Sequence, residues 1–257
     1  ELSHIYQYEG GGIAFNSGCS VKLLKGNLGR IAPEQIKYAV NNRNDAHRAY
    51  SKLVSLENTS NRGGGSCYDF ESFSAIRKVC DEHELKLHLD GARLFNAIVA
   101  KNEKASGYGK IFHSISVCLS KGLGTPVGSV LIGDKNFIAK ARRTRKVLGG
   151  GMRQAGILAA AGIYALENHI ERLAEDHAHA KMLADTIATK KFTANGTASS
   201  RKKAGAPFSS ATTTSPGRSA GSGATTRSTG SGRPRPSPPC CTCTAGRPTS
   251  FRVTSSA

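Results

Sequence analysis

The segment that decides the fold is LKLHLDGAR, residues 85–93, in which leucines alternate with polar residues up to Asp90. A second segment, SVCLSKGLGTPVGSVLIG at residues 116–133, holds two further apolar runs, and Lys121 follows the first of them. Short apolar runs bounded by glycine and polar residues are typical of strands. We therefore expect Asp90 to close one strand and Lys121 to close another.

The flanking segments alternate between strand and helix patterns. Residues 70–84 carry apolar side chains at a helical period, whereas KLVSLENT, residues 52–59, is a buried-strand pattern that ends in polar groups. This alternation predicts an α/β fold with a mainly parallel sheet flanked by helices. Ligands bind beyond the carboxyl ends of such strands, so we expect Asn58, Asp90 and Lys121 to meet there.

A lysine and an aspartate at one sheet edge suit the chemistry of pyridoxal 5'-phosphate. A lysine amine holds the aldehyde of this cofactor as a Schiff base, and a carboxylate keeps its ring nitrogen protonated so that the ring accepts electrons. Lys121 and Asp90 fit these two roles. The simpler alternatives are a surface lysine in a glycine-rich turn and an Asp-Gly turn or helix cap.

Four longer stretches sharpen this interpretation: SLENT, HLDGARLFNA, CLSKGLGTPVGS and GGGMRQAGILAAAGIYAL. Together, and in this order, they resemble the threonine aldolase family of pyridoxal phosphate enzymes. The resemblance extends from about Ser3 to about Lys190 and implies part of an aspartate aminotransferase-like, fold type I large domain. It also implies aldol cleavage of L-threonine or L-allo-threonine to glycine and acetaldehyde.

Three alternatives to this function stay open. The chain could be another fold type I pyridoxal phosphate lyase or an enzyme similar to glycine hydroxymethyltransferase. It could also be a non-catalytic fragment with a basic tail that binds nucleic acid. Substrate trials separate the enzymes from one another, and the absorbance of the bound cofactor separates an enzyme from a fragment.

The resemblance implies roles for individual side chains. Lys121 would bind the cofactor covalently, Asp90 would contact its ring nitrogen, and Arg93 would bind the substrate carboxylate. His4 would lie against the cofactor ring and His47 near the substrate β-hydroxyl, where either could act as general base. A structural ion pair with Asp90 is the alternative for Arg93, and a structural role is the alternative for each histidine.

Two further assignments follow from the same resemblance. Asn58, with its neighbour Glu57 in LENT, matches a segment near the cofactor's substituents, and Arg153 of GGGMRQ matches a basic residue that contacts the cofactor's oxygens. The remaining histidines have no metal-ligand spacing, and the CCxC cluster at residues 240–243 lacks a histidine, so we predict no metal site.

The composition changes near residue 191. Residues 192–257 contain no Asp, Glu, Leu, Ile, Met or Tyr, and they hold seven of the nine prolines. Such a segment cannot bury a core. We predict a partial cofactor-binding large domain at residues 1–153, a long connecting helix at 154–191 and a disordered basic tail at 192–257.

Two explanations account for the composition of residues 192–257. Out-of-frame translation of a GC-rich coding sequence gives the Ala, Arg, Gly, Pro, Ser and Thr that dominate it, so a frame shift near residue 191 is our hypothesis. The other two reading frames of the gene test this, because an absence of family-like sequence would refute it. The alternative is a genuine tail that binds nucleic acid through its nine Lys and Arg. We do not expect that partner, because aromatic residues are sparse in the tail.

The resemblance also implies two family segments that no part of this sequence matches. One is a glycine and threonine loop before His4 that holds the cofactor phosphate at a helix amino terminus. The other is a carboxy-terminal domain that supplies a second arginine to the substrate. We therefore expect weakened cofactor binding.

Charge and cysteine usage bound the partners and the compartment. The formal net charge is +18, and residues 1–191 contribute half of it, with 27 (36 − 9) basic against 18 acidic residues. We interpret this excess as a positive pocket and solvated lysines.

The cysteines of residues 1–191 lack CxxC spacing and suit a reducing compartment, so we expect a cytoplasmic protein. No apolar run reaches the ~20 residues of a membrane span. The resemblance implies an amino acid substrate and a homodimer or homotetramer.

Overall fold

The structure is a computed structural model that describes the backbone of residues 1–203 and 251–253 and the side chains of residues 1–188. The chain divides into two compact units. The first comprises Glu1–Met182 and Arg247–Ala257, and it contains the sheet. The second is Leu183–Gly246, whose described part is helical up to Lys203.

Helices and strands alternate along most of the first unit. In chain order the elements are α1 (His4–Gln7), α2 (Gly12–Ser17), α3 (Pro33–Ala39), β1 (Leu53–Glu57), α4 (Phe70–Glu82), β2 (Lys86–Gly91), α5 (Leu94–Lys101), α6 (Ala105–Ile111), β3 (Ser114–Cys118), β4 (Ser129–Gly133), α7 (Lys135–Val147), α8 (Gly156–Asn168), α9 (Leu173–Lys203) and β5 (Phe251–Val253).

The strands form one mixed sheet in the order β1-β2-β3-β4-β5. The β1–β2, β2–β3 and β4–β5 pairs are parallel, and the β3–β4 pair is antiparallel. The predicted α/β fold, a mainly parallel sheet flanked by helices, is confirmed. The reversal at β4 was not expected from the sequence.

Chain length explains the reversal. Residues 119–128 separate β3 from β4, whereas parallel neighbours need a crossover of roughly a dozen or more residues. The backbone N–H of Leu119 bonds the carbonyl of Gly128 at 2.9 Å, so the ladder continues one step beyond the strands. The glycine-rich turn therefore folds back upon the strand that precedes it.

Alternation along β2 separates a core face from a polar face. Leu87 and Leu89 are fully buried in the main hydrophobic cluster, while His88 and Asp90 occupy the alternate positions. Burial of each leucine contributes about 1.5–3 kcal/mol to the stability of the fold. The polar face is the one that carries the predicted site residue.

Helix α4 covers the core face. Its amino terminus is capped by Asp69, whose carboxylate accepts a hydrogen bond of 2.7 Å from the Ser72 N–H. Phe73 and Ile76, one turn apart, are both fully buried in the same cluster as the β2 leucines. The apolar period seen in the sequence at residues 70–84 is therefore the packed face of this helix.

Register places polar residues side by side at the carboxyl edge. Glu57 of β1 pairs with Asp90 of β2, and Asp90 pairs with Ser116 of β3. Paired residues on adjacent strands project to the same face of a sheet. Cys118, two residues after Ser116, lies on this face as well.

The region assigned to one connecting helix contains two. Helix α8 ends at Asn168, and α9 begins at Leu173. Between them, the backbone N–H of His169 bonds Ala165, and its Nδ1 lies 2.7 Å from the carbonyl oxygen of Leu123. This tertiary contact holds the break, which explains why residues 163–191, a stretch without glycine or proline, gave no warning of it.

The described backbone also enters the predicted tail. Helix α9 continues through residues 192–203, a stretch that contains no proline, and β5 lies at residues 251–253. Residues 204–250 and 254–257 lie outside the described residues, and so does the expectation of disorder there.

Within residues 1–203, none of the helices combines the length and apolar character needed to cross a bilayer.

Candidate active site

Asp90 lies near the carboxyl end of β2, and only 8% of it is exposed. Its carboxylate accepts a hydrogen bond of 3.2 Å from the Ala92 N–H. A Cβ on the next residue, Gly91, would come within 2.8 Å of the carbonyl oxygen of Ser116. The Asp-Gly pair therefore belongs to a crowded strand end, where a larger residue would push β2 and β3 apart.

Lys121 lies in the turn that follows β3. A hydrogen bond of 2.8 Å from the Gly124 N–H to the Lys121 carbonyl closes this turn, and Gly124 adopts a φ of +71° that favours glycine. The Lys121 side chain is exposed, and its positive charge acts to lower the pKa of Asp90. The lysine and the aspartate thus interact at one edge of the sheet.

The electrostatic environment of Asp90 is unusual for a carboxylate. Burial raises its pKa, and the carboxylate of Glu57 on the neighbouring strand raises it further. The Ala92 N–H, the charge of Lys121 and the charge of His4 act in the opposite direction without cancelling the rise. Ionised Asp90 would therefore be stabilised by any cation that reached its carboxylate.

Glu57, the register partner of Asp90, is 4% exposed. Its Oε2 accepts a hydrogen bond of 2.7 Å from the His4 N–H, and its Oε1 accepts one of 2.8 Å from the Asn61 N–H. The resemblance of LENT to the family implies a place near the cofactor for Glu57 but no role of its own. The role of Glu57 becomes visible only in the strand register, which pairs it with Asp90 and which tertiary structure determines.

His4 is brought to this edge by its backbone. It begins α1, its side chain is half-buried, and its Nδ1 lies 3.0 Å from a carboxylate oxygen of Glu9. Its ring centroid lies 4.9 Å from that of Tyr8. Since the charge of His4 influences the pKa of Asp90, the imidazole is part of the same electrostatic site.

Arg93 is the N-cap residue of α5, just beyond β2, and its side chain makes no capping hydrogen bond. Its Nη1 donates a hydrogen bond of 3.1 Å to Oδ1 of Asn61. The alternative of a structural ion pair with Asp90 is not what the structure shows, because among residues 1–188 the ion pairs do not join these two side chains. The guanidinium stays at the edge as a half-buried cation.

Cys118 is a further neighbour that was missed from the sequence, where only the spacing of the cysteines was interpreted. Burial raises the pKa of its thiol, the positive charges of Lys121 and Arg93 lower it, and Asp90 raises it. These influences place four ionisable groups around the end of β3. The available signal was its alternation with Ser116 on the polar face.

Comparison with known proteins settles the family. The profile described as beta-eliminating lyase matches residues 1–203. The chain belongs to this family. It is also 43% identical over 187 residues to a probable low-specificity L-threonine aldolase 2 of Arabidopsis thaliana, covering 72% of this chain and 53% of that protein.

Other likenesses point the same way. A low specificity L-threonine aldolase of Escherichia coli strain K12 is 42% identical over 199 residues, covering 73% of this chain and 55% of that protein. The crystal structure of a putative L-allo-threonine aldolase from Listeria monocytogenes EGD-E matches with a TM-score of 0.63 and 27% identity, over 72% of this chain and 49% of that one. The chain spans about half the length of these relatives. The predicted resemblance to threonine aldolases, with a fold of type I, is confirmed.

In this member of the beta-eliminating lyase family, not all of the predicted site residues lie at the carboxyl edge of the sheet. His47 is exposed in the loop between α3 and β1, and its N–H bonds Asp45 at 3.0 Å. In the same loop Arg43 bonds the carbonyl of His83 at 2.8 Å, just before β2 begins. The loop is thus anchored at the amino edge, and a strand of five residues separates the two edges by roughly 17 Å.

The backbone of Asn58 adjoins Asp90, since its N–H donates a hydrogen bond of 3.0 Å to the Asp90 carbonyl, but its side chain turns away from the site. The Asn58 side chain is fully buried, where its Oδ1 accepts from the Tyr68 N–H at 3.2 Å and its Nδ2 lies 3.5 Å from the Tyr108 hydroxyl. Arg153 is exposed in the segment between α7 and α8. In the described contacts, then, Asn58 stabilises the core, and Arg153 is not joined to the edge.

Proposed function

We propose that this protein is a pyridoxal 5'-phosphate-dependent threonine aldolase that cleaves L-threonine or L-allo-threonine to glycine and acetaldehyde. The observation that carries the proposal is the buried Asp90 carboxylate with the Lys121 amine at the same sheet edge. The likeness to proteins named as L-threonine aldolases supports the choice of substrate.

The residues at the edge fit this cofactor. Two buried carboxylates, Glu57 and Asp90, lie side by side, and the pKa of Asp90 is raised by burial and by its neighbour. A protonated ring nitrogen is a cation that would stabilise the ionised Asp90 carboxylate. Lys121 offers an exposed amine for the aldehyde, and the half-buried His4 imidazole lies where its charge influences Asp90.

The chemistry that pyridoxal phosphate supplies when bound is an electron sink for the α-carbon of an amino acid. The protein's part is to orient the reactants. Arg93, half-buried and held by Asn61, presents a planar guanidinium that suits a bidentate contact with the substrate carboxylate. Asp90 would hold the proton of the cofactor's ring nitrogen. Because Asp90 is buried, water is kept from this contact.

The β-hydroxyl proton needs a general base, for which the family resemblance offers two histidines. His4 is the one that the described contacts support, since its charge reaches Asp90. We propose His4 for the ring contact and as the first candidate base. His47 is the second candidate, and it requires its loop to approach the carboxyl edge. Asn58 and Arg153 receive no cofactor role in this proposal.

Product analysis tests the reaction. With added cofactor and L-threonine or L-allo-threonine, the aldolase releases acetaldehyde and glycine in equal amounts. The family name makes β-elimination the competing reaction, and elimination from threonine instead yields ammonia and a keto acid. Keto acid without acetaldehyde would overturn the proposal in favour of a β-eliminating lyase.

We also propose a homodimer or homotetramer and a cytoplasmic location. Several large apolar side chains of α8, among them Ile157, Ile163 and Tyr164, are exposed and support self-association. Light scattering across a concentration series tests the assembly, and fractionation of the producing cell tests the location.

A further inference from the structure

One carboxylate at the sheet edge joins two distant parts of the chain. Glu57 is almost fully buried, and among residues 1–188 it takes part in no ion pair. Its two oxygens are instead satisfied by backbone N–H groups, that of His4, 53 positions away, and that of Asn61, four positions away. Such hydrogen bonds offset the cost of burying a carboxylate.

The hydrogen bonds of Glu57 continue through Asn61 to a further residue, Arg93. The Asn61 residue that donates its N–H to Glu57 accepts a hydrogen bond from Arg93 through its side chain, at 3.1 Å. A continuous series therefore runs from His4 through Glu57 and Asn61 to Arg93. Its two ends are the imidazole and the guanidinium that the proposed function places against the cofactor ring and the substrate carboxylate.

We propose that Glu57 is the positioning residue of this site, holding the His4 segment and the Asn61 turn at the sheet edge so that the imidazole and the guanidinium flank Asp90. The proposal deepens the proposed function and rests on it for the identity of the bound groups. The positioning itself is a property of the protein alone and can be measured without cofactor.

The negative charge of Glu57 contributes to the positioning as well as the length of its side chain. Hydrogen bonds to an ionised acceptor are roughly twice as strong as those to a neutral one, so a carboxylate holds two N–H groups more firmly than an amide. The same charge stands beside Asp90 in the register and contributes to the rise in its pKa. Glu57 thus holds the segments that carry the imidazole and the guanidinium, and it contributes to the raised pKa of the adjacent Asp90 carboxylate.

Two substitutions separate these effects. Glu57→Gln keeps the shape but removes the charge, and its NH2 group opposes one of the two N–H donors. Glu57→Asp keeps the charge but is one methylene shorter, so it cannot bridge both donors. The matched control is Glu103→Gln, which removes a carboxylate that accepts from the Tyr108 hydroxyl at 2.6 Å and does not influence Asp90.

The readouts are amide hydrogen exchange at His4 and Asn61 and carbon NMR titration of Asp90, both without cofactor. We expect Glu57→Gln to speed exchange at His4 or Asn61 at least tenfold and to lower the pKa of Asp90. Glu57→Asp should speed exchange while the pKa of Asp90 stays raised. With cofactor, both variants should raise KM for threonine several-fold more than Glu103→Gln does.

A purely structural role gives a different pattern. Unchanged exchange and an unchanged Asp90 titration in both Glu57 variants, with a loss of thermal stability like that of Glu103→Gln, would overturn the inference. Should Glu57→Gln not fold, the Glu57→Asp exchange result decides. If the cofactor-free readouts change as expected but the wild-type protein binds no cofactor, the aldolase proposal fails and the positioning role stands.

Discussion

At the scale of single residues, the buried carboxylate of Asp90 makes the stability of the fold depend on pH. Its folded-state pKa is raised, mainly by burial, so folding favours the neutral form more than the unfolded chain does. The resulting stabilisation is complete below the unfolded pKa of about 3.9 and is lost as pH rises through the folded pKa. Replacing Asp90 with an uncharged residue of the same shape should remove this loss of stability at high pH.

We therefore expect Asp90→Asn to melt at a higher temperature than the wild type at pH 7, with a smaller difference at about pH 4. Cofactor affinity should fall roughly tenfold or more in the same variant, because the amide cannot balance a cationic ring. Thermal melts at the two pH values and a cofactor titration measure both. A wild type that is the more stable protein at pH 7 would contradict the raised pKa.

The two candidate bases give a second prediction at this scale. His4→Ala should lower kcat for threonine cleavage by roughly 10²–10⁴-fold, as expected for loss of a general base. His47→Ala should have the smaller effect, because its loop is anchored at the other edge. Steady-state kinetics of the two variants measure this. The reverse order would show that the loop reaches the site.

At the scale of elements, β2 supports both the core and the site. Leu89 is fully buried beside Asp90, whereas Leu53 of β1 is 59% exposed. Leu89→Ala should lower the free energy of unfolding by about 2–5 kcal/mol. Leu53→Ala is the matched control and should cost less than about 1 kcal/mol. Urea denaturation compares them, and equal losses would show that β2 is not central.

Part of this arrangement could be predicted from the sequence. The runs at residues 85–93 and 116–133 indicate strands because alternation and bounding glycines are local signals. The position of Asp90 and Lys121 at strand ends follows from the same signals. Their common edge follows from the general rule for parallel sheets.

The rest depends on contacts between distant residues. The break between α8 and α9 is held by the contact of His169 with Leu123, and the role of Glu57 depends on which residues of β1 and β2 face each other. Neither leaves a local pattern. His47 and Asn58 show the limit of motif likeness, since a matching word does not tell which way a loop or a side chain points.

At the scale of the whole molecule, exposed apolar side chains predict self-association. Ile157 of α8 is 84% exposed and Tyr38 of α3 is 89% exposed. If α8 lies in the subunit interface, Ile157→Asp should shift the assembly toward monomers, while the control Tyr38→Ser should leave it unchanged. Light scattering at several concentrations measures this. An unchanged mass for Ile157→Asp would place the interface elsewhere.

The proposed aldolase activity depends on Lys121 forming the covalent link to the cofactor. Incubation with pyridoxal 5'-phosphate, reduction with borohydride and peptide mass spectrometry measure that link directly. We predict a visible absorbance band and a cofactor-modified Lys121 in the wild type and in the control Lys110→Ala, whose lysine is also exposed. Both signals should vanish in Lys121→Ala. Modification of other lysines with Lys121 untouched, or a band that persists in Lys121→Ala, would contradict the account.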